Sequence, residues 1–462
     1  MITPVLDDAL RFTNGAQQYR CALQVNPFRY VREYKAQTPY NSEDEYNAAL
    51  IKACRQSDIQ VIAVTDHHRI AESETLLKAA TDAGIVAFPG FEAQTRDSVH
   101  VLCIFEVGTP ASLIERYLGD CGVHDPTERA GLCKYDVEDL LESLHGWSAE
   151  AIAIAPHAFQ EVKGILGASS GQARARLWKN KHLGACGIPG DVKSAPQKFK
   201  DILLNKDPTY ARDRSVALIN CNDVSSPEDV EKSNTSTLIR MTKPTIEGLR
   251  QAFLDPESRV RLNSQPLIGE RSRLVAIGWE GGFLDGARMH FNDELNVLIG
   301  GRGTGKSTII ESIRCVTAAK PLGEEARAAH DRIVKNVLKS GTKISLLVQT
   351  HRPLAKYFVI ERTIPDLPRV REQDGTPSNL SPTEVLNGIE IFGQHEIGEV
   401  ARDGVALTDL LGSFAKHDDE LREEKKDLLR KLQTSRQIIV ANEIARRDTA
   451  ERLSGCLLFV II

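Results

Sequence analysis

Val61-Ile62-Ala63-Val64-Thr65-Asp66-His67-His68 is an apolar run that ends on a carboxylate and two imidazoles. Residues 61–64 have the length and the β-branched content of one buried strand. The same order recurs through the first half of the chain. Residues 85–88 lead through Pro89-Gly90, read as a turn, to Glu92, and His100 stands in the apolar run 99–105. Residues 151–155 precede Pro156 and His157, and residues 216–219 lead to Asp223. Helical patterns fill the gaps at 43–56, 73–82, 137–144 and 245–254. Short apolar strands alternating with helices predict an α/β domain with a largely parallel sheet. Asp66, His67, Glu92, His100, His157 and Asp223 then share one rim, where barrel enzymes build their sites. Imidazole together with carboxylate suits Zn²⁺, Mn²⁺ or Fe²⁺.

The chain has 462 residues, so two or three domains are expected. With 58 basic and 63 acidic residues the net charge is −5, which excludes a nucleic-acid footprint spread over the whole chain. Nine cysteines are scattered without a C-x-x-C pair. They read as reduced thiols of a cytoplasmic protein. The first 20 residues lack the charged-then-apolar order of a secretion signal. No apolar stretch approaches the ~20 residues of a membrane span. The closing run Cys456-Leu457-Leu458-Phe459-Val460-Ile461-Ile462 follows a charged helix abruptly and is expected to be a truncated or frame-shifted end.

A second motif lies in the later part. Gly300-Gly301-Arg302-Gly303-Thr304-Gly305-Lys306-Ser307 fits the phosphate-loop pattern G-x-x-x-x-G-K-[ST] without a mismatch. The apolar run Leu295-Asn296-Val297-Leu298-Ile299 before it reads as a buried strand. From Thr308 onward, Ile309, Ile310, Ile313 and Val316 recur at helical spacing. Strand, loop and helix form the required order. The backbone N–H groups of the loop would cradle the phosphates of ATP. Lys306 would reach the outer phosphates, and Ser307 would ligate Mg²⁺. Further strands are expected at 289–291, 343–349, 357–362 and 390–392, with a charged helix at 323–338. Pro256, Asn263, Pro266 and Gly269 mark a boundary between the two halves. Phe414, Leu421 and Leu428 are seven apart, as are Leu432 and Ile439, in a strongly charged context. That spacing fits the start of a coiled coil or a single long amphipathic helix.

Residues 20–262 resemble the polymerase-and-histidinol-phosphatase (PHP) domain. The resemblance rests on Val64-Thr65-Asp66-His67, Pro89-Gly90-Phe91-Glu92, His100 and the closing stretch Ile246-Glu247-Gly248-Leu249-Arg250-Gln251-Ala252-Phe253-Leu254-Asp255-Pro256. It implies a distorted β/α barrel that holds two or three divalent metals and hydrolyses phosphoesters. Gln24 and Asn26 stand where the family has His-x-His, and Ser225 stands where it has the last histidine of Asp-x-His. Amide oxygens are weak ligands for transition metals, so at least one metal position is expected to be lost. His67, Glu92, His100 and His157 would hold the ion that remains.

The segment 289–316 is similar to the ATPase heads of structural-maintenance-of-chromosomes, RecF and SbcC proteins. Ile391-Phe392-Gly393-Gln394-His395-Glu396 resembles their Q-loop, which would put Gln394 on Mg²⁺ and the γ-phosphate. The second half of such a head, with its signature motif and an Asp-Glu strand end, does not follow Gln394. The whole pattern resembles bacterial PHP–ATPase fusions of the TrlF-like family. It implies a degenerate PHP barrel over 1–262, the first lobe of an ATPase head over 270–407, an outgoing coil over 408–455 and an apolar tail over 456–462. It further implies ATP-driven homodimerisation of heads, and DNA or a nuclease complex as partner in DNA processing, repair or phage defence. Two alternatives stay open: a metal-dependent phosphoesterase or nuclease gated by ATP, and a non-catalytic scaffold.

Overall fold

The computed structural model describes residues 3–459 apart from 35–37, 125–131, 266–271, 352–354, 387–388, 394–395, 403 and 414–418. The chain packs as two compact units. One comprises residues 10–271 with 290–296, and the other residues 1–9, 272–289 and 297–462.

The first unit is organised by nine strands: β1 (Gln17–Val25), β2 (Val61–His67), β3 (Val86–Gln94), β4 (His100–Phe105), β5 (Ala151–Ala155), β6 (Leu183–Gly187), β7 (Ala217–Ile219), β8 (Thr237–Met241) and β9 (Val260–Leu262). They form one sheet in the order β7-β6-β5-β4-β3-β2-β1-β8-β9. The pairs β1–β2, β2–β3, β5–β6 and β6–β7 are parallel. The pairs β3–β4, β4–β5, β1–β8 and β8–β9 are antiparallel, so the expected largely parallel sheet is mixed instead. The reason is local. Residues 95–99 turn β3 back onto β4, with Thr95 N–H donating to Val99 O at 3.0 Å. So short a link has no room for the crossover that a parallel pair needs. The reversal is undone at β5. The C-terminal ends of β2, β3 and β5 therefore lie on one rim with the N-terminal end of β4.

The sheet curls until its edges nearly meet. Asn263, just after β9, donates its N–H to Asn220 Oδ1 at 3.2 Å. The Thr237 hydroxyl accepts from Asn220 N and donates to Asn220 O, and Val224 bridges Val25. Inside, alternate residues such as Val61 and Ala63, or Ile152 and Ile154, share one core with Leu249 and Ala252. Those two belong to the helix Ile246–Leu254, which closes the end of the barrel opposite the rim. Outside, Ile62, Val64 and Ala87 pack with Leu50 and Leu76 from the helices Glu43–Gln56 and Glu74–Asp82. Burial on both faces explains why these strands read as continuous apolar runs. Pro89-Gly90, expected as a turn, lies inside β3. A Cβ at Gly90 would come within 2.6 Å of Cys103 O, so only glycine permits this approach of β4.

The second unit holds β10 (Arg273–Glu280), β11 (Arg288–His290), β12 (Lys343–Thr350), β13 (Lys356–Thr363) and β14 (Arg369–Glu372), in the order β11-β10-β12-β13-β14. The helix Lys306–Thr317 follows the glycine-rich loop as expected and buries Ile313 and Val316. The charged stretch 323–338 forms the helix Glu324–Ile333 and one wider turn, Val334–Leu338.

Two expected strands are absent among the described residues. Residues 295–299 join no sheet, and Leu295, Val297 and Ile299 are 84%, 64% and 92% exposed. The Asn296 amide bonds the carbonyls of Asn292 and Glu294 instead, and its Oδ1 accepts from Asn292 N–H. Such side-chain-to-backbone bonds compete with a ladder, and no neighbouring strand offers one. Residues 390–392 are likewise irregular. From residue 404 the chain forms the helices Gly404–Ser413 and Asp419–Phe459. The latter runs 41 residues as a single helix with Leu428, Leu432 and Ile439 exposed. Phe414 and the last residues of the apolar tail, 460–462, lie outside the described residues. No helix among the described residues is long and apolar enough to cross a membrane.

Candidate metal centre

Glu92 stands at the middle of the barrel rim. It pairs directly with His67 across the parallel strands β2 and β3. His100 pairs with Gln94 at the start of β4, which sets it diagonally beside Glu92. Three neighbouring strands thus deliver three ligand-type side chains to one place. Glu92 Oε2 lies 3.2 Å from His67 Nδ1, and Oε1 lies 2.7 Å from His100 Nδ1. One donor atom from each of the three lies within 4.8 Å of the other two.

His157, two residues beyond β5, approaches Glu92 Oε1 at 3.7 Å and Asp223 Oδ2 at 3.6 Å through Nε2. It sits at φ 51°, a left-handed conformation. Such a backbone is uncommon for a residue with a side chain and is found at functional sites. Asp66 is buried beside this group. Its Oδ1 accepts the N–H of His67 at 2.7 Å, and its Oδ2 lies 3.9 Å from Arg29 Nη1. Of the six rim residues expected from sequence, the side chains of His67, Glu92, His100, His157 and Asp223 are brought together, and Asp66 stands beside them against Arg29. The adjacent His68 is not one of them, because its Nε2 is taken by Gln94 N–H at 3.0 Å.

Two amide side chains, Gln24 and Asn26, also enter this space. The Gln24 amide nitrogen lies 3.3 Å from Glu92 Oε1 and 3.3 Å from His157 Nε2. The Asn26 amide donates to Asp223 Oδ1 at 3.2 Å and to Ser225 Oγ at 2.9 Å. Amide N–H groups thus face the carboxylates of this rim.

Burial governs protonation in this centre. It pushes the Asp66 carboxyl up to about 7 and raises Glu92 as well. It lowers His67 and drives His100 down to about 4. Neutral imidazoles carry the lone pairs a metal needs, and a bound cation would return both carboxyls to their charged form. His100 Nε2 is buried without a hydrogen-bond partner. Nδ1 of His100 is the ring nitrogen that faces Glu92, and so the one that an ion shared with that carboxylate would take. The donor set, two imidazoles and a carboxylate, fits one ion of the Zn²⁺ or Mn²⁺ class.

Sequence reasoning missed the neighbouring wall. The rings of Tyr30 and Tyr34 lie 5.4 and 5.3 Å from the His67 ring. Both belong to the helix Phe28–Tyr34, which also carries Arg29. The available signal was position: this helix starts two residues after Asn26, so its first turn falls at the rim.

The glycine-rich loop is a separate arrangement in the second unit. Gly303 and Gly305 take φ 83° and 95°, which other residues rarely adopt. Lys306 Nζ donates to Gly300 O at 2.7 Å and Gly301 O at 2.6 Å, so the loop curls around its own lysine. Thr304 Oγ1 donates to Gly301 O at 2.9 Å. Gly300, Gly301, Arg302 and Gly303 are exposed, Ser307 is exposed, and Thr308 is buried in the first turn of the helix. Gln394 lies outside the described residues. Its neighbour Glu396 forms a buried pair with Arg314 Nη2 at 2.7 Å, and Glu311 Oε2 lies 3.0 Å from Arg314 Nε.

No protein-family model matches the chain, and no curated protein sequence matches it. Among solved structures, PsfC from Pseudomonas syringae aligns at TM-score 0.34 and 14% identity, over 53% of this chain and 90% of that one. A putative metal-dependent phosphoesterase from Bifidobacterium adolescentis aligns at TM-score 0.29 and 12% identity, over 40% of this chain and 82% of that one. The lesion-specific endonuclease PfuEndoQ from Pyrococcus furiosus aligns at TM-score 0.38 and 12% identity, over 56% of this chain and 62% of that one.

Proposed function

We propose that the barrel rim is a metal-dependent phosphoester-hydrolysing centre that holds one Zn²⁺- or Mn²⁺-class ion on His67, Glu92 and His100. One observation carries this reading. Three donors from three neighbouring strands converge within 4.8 Å. When bound, such an ion lowers the pKa of a water and polarises a phosphoryl oxygen. The rest is done by the chain. Glu92 Oε1 and His100 Nδ1, 2.7 Å apart, are close enough to share that ion. Arg29, beside Asp66, is paired with Glu33 at 2.8 Å and reaches Glu72 at 3.5 Å, so it braces this wall of the site. His157 Nε2 stands 3.6 Å from Asp223 Oδ2 and 3.7 Å from Glu92 Oε1, which places its imidazole beside the reacting group. Tyr30 and Tyr34 wall one side of His67 and keep water from it. The proposed substrate class is a phosphoester, with DNA as its polymeric form.

The test is metal analysis and equilibrium Zn²⁺ and Mn²⁺ binding of the full chain beside His100→Ala. The expected outcome is one ion per chain, with affinity falling on the order of 10- to 100-fold or more in the variant. Phosphodiester and phosphomonoester hydrolysis should follow metal occupancy. Equal metal affinity in the two proteins would overturn the reading.

A second reading concerns the other unit and is favoured by the curl of residues 300–306 around Lys306. That loop is proposed to bind ATP with Mg²⁺, with Lys306 moving from its own carbonyls to the phosphates and Ser307 facing the metal. Gln394 as a Mg²⁺ ligand, and a homodimer formed across two such loops, belong to the same proposal. Equilibrium ATP binding by the full chain and by Lys306→Ala tests it, and unchanged affinity in the variant would sink it.

A further inference from the structure

A cavity of ≈ 590 Å³ lies in the barrel unit at the end opposite the metal rim. It opens where β5 and β6 begin, at Ala151 and Leu183, and beside Val216 just before β7. These strands are parallel, and His157 follows the far end of β5. A five-residue strand separates the two places. At ~3.3 Å per residue that is a distance of ~17 Å. The cavity is therefore not an arm of the metal centre.

Its floor and its mouth differ in chemistry. Leu141, Leu144, Ile152, Leu183 and Phe253 line it and are buried. Around the mouth stand Lys179, Lys181, Arg212, Arg214 and Arg250, and Asp213 is the one carboxylate of the lining. Arg250 is held by Glu247. Lys179, Lys181, Arg212 and Arg214 form no ion pair among the described residues. Arg212 is half-buried, and Nη1 bonds the carbonyl oxygens of Trp178 and Asn180, the latter at 3.0 Å. Those carbonyls orient its guanidinium without neutralising it. A chain of net charge −5 has thus gathered four unpaired cations around one apolar pocket. Uncompensated guanidinium and ammonium groups converging on a pocket select phosphate, and an apolar floor selects a body attached to it. The volume falls within the ~300–1,000 Å³ of small-molecule sites.

We infer that this cavity binds a small phosphomonoester with an apolar or aromatic body, of the nucleoside-monophosphate class. The phosphate sits among Lys181, Arg212 and Arg214, and the body lies against Leu144, Ile152 and Phe253.

Calorimetric titration of the full chain with AMP and with inorganic phosphate, both in EDTA, tests the inference. EDTA keeps metal out of the rim centre, and AMP lacks the outer phosphates that the loop lysine is placed to hold. Expected is one AMP per chain, with phosphate binding about tenfold or more weaker because it forgoes the apolar floor. The doubly substituted Lys181→Glu, Arg214→Glu chain should lose about tenfold or more of AMP affinity. Lys181→Gln with Arg214→Gln should lose less. Both positions are exposed, so a retained circular-dichroism spectrum is expected in each variant. Absence of AMP binding, or unchanged AMP affinity in the charge-reversed chain, would overturn the inference. Equal affinity for phosphate and AMP would remove the apolar body from it.

Discussion

Glu92 Oε1 receives His100 at 2.7 Å and Gln24 at 3.3 Å, while Oε2 faces His67 at 3.2 Å. Glu92→Gln keeps this shape and removes the charge, which separates metal binding from packing. A ligand that binds only the folded state stabilises by about 2.7 kcal/mol at a hundred times its Kd. Saturating Zn²⁺ should therefore raise the melting temperature of the wild-type barrel by several degrees, roughly as ~2–3 kcal/mol does in a domain of this size. Glu92→Gln should show little of that rise, with its metal-free melting temperature unchanged or higher, because a carboxyl raised by burial has been replaced by a neutral group. An equal Zn²⁺-induced rise in the variant would count against Glu92 as a ligand. Legibility at this scale was uneven. His67, Glu92 and His100 could be found because each is a ligand-type residue at the end of an apolar run. Tyr30 and Arg29 could not, because in a short helix they look like any amphipathic surface, and only the curl of the sheet brings them to His67.

Strands β12, β13 and β14 are tied by Glu361, whose side chain takes Lys343 at 2.7 Å and Arg371 at 2.9 Å. Burial alone would raise this carboxyl, but the two cations outweigh it and hold it below its ordinary 4.5. A depressed folded-state pKa stabilises above the unfolded value and loses that contribution as pH falls below it. Denaturant unfolding across pH 3–6 should show the wild type losing up to about 1 kcal/mol more than Glu361→Gln on acidification, a small figure because both cations are partly exposed. Parallel pH profiles for the two proteins would refute the assignment. Helices were the most legible elements. The helix over 43–56 has its expected ends, and in the structure Ser42 caps its first turn, accepting from Glu45 N–H at 3.2 Å, with acidic residues following. The run 295–299 was misread for a physical reason. Apolarity says that a segment prefers burial, but not that a neighbouring strand is present to bury it. The direction of β4 was hidden for a similar reason, since alternation of apolar residues is the same in a strand and in its reverse.

Two compact units should not melt as one. Differential scanning calorimetry of the full chain is expected to resolve two transitions that respond to different ligands. Zn²⁺ or Mn²⁺ should move only the barrel transition, and Mg²⁺ with ATP only the other. A single transition shifted by both would contradict this independence. At this scale the acid-and-imidazole strand ends fall in one unit and the glycine-rich loop in the other. The sequence did not reveal that residues 3–9 belong to the second unit, because nothing in a short amphipathic helix names its partner.

The bare run Leu295-Asn296-Val297-Leu298-Ile299 carries a consequence for handling the protein. Three large aliphatic side chains stand in water on a segment without proline or charge, bordered by Glu294 on one side only. Such a segment is a seed for cross-chain β-pairing. Turbidity and light scattering should therefore grow steeply with protein concentration, and Val297→Lys, a gatekeeper charge, should suppress them without moving either melting transition. Scattering that ignores this substitution would place the adhesive surface elsewhere. If the substitution does suppress scattering, these five residues set the concentration at which the chain can be kept in solution.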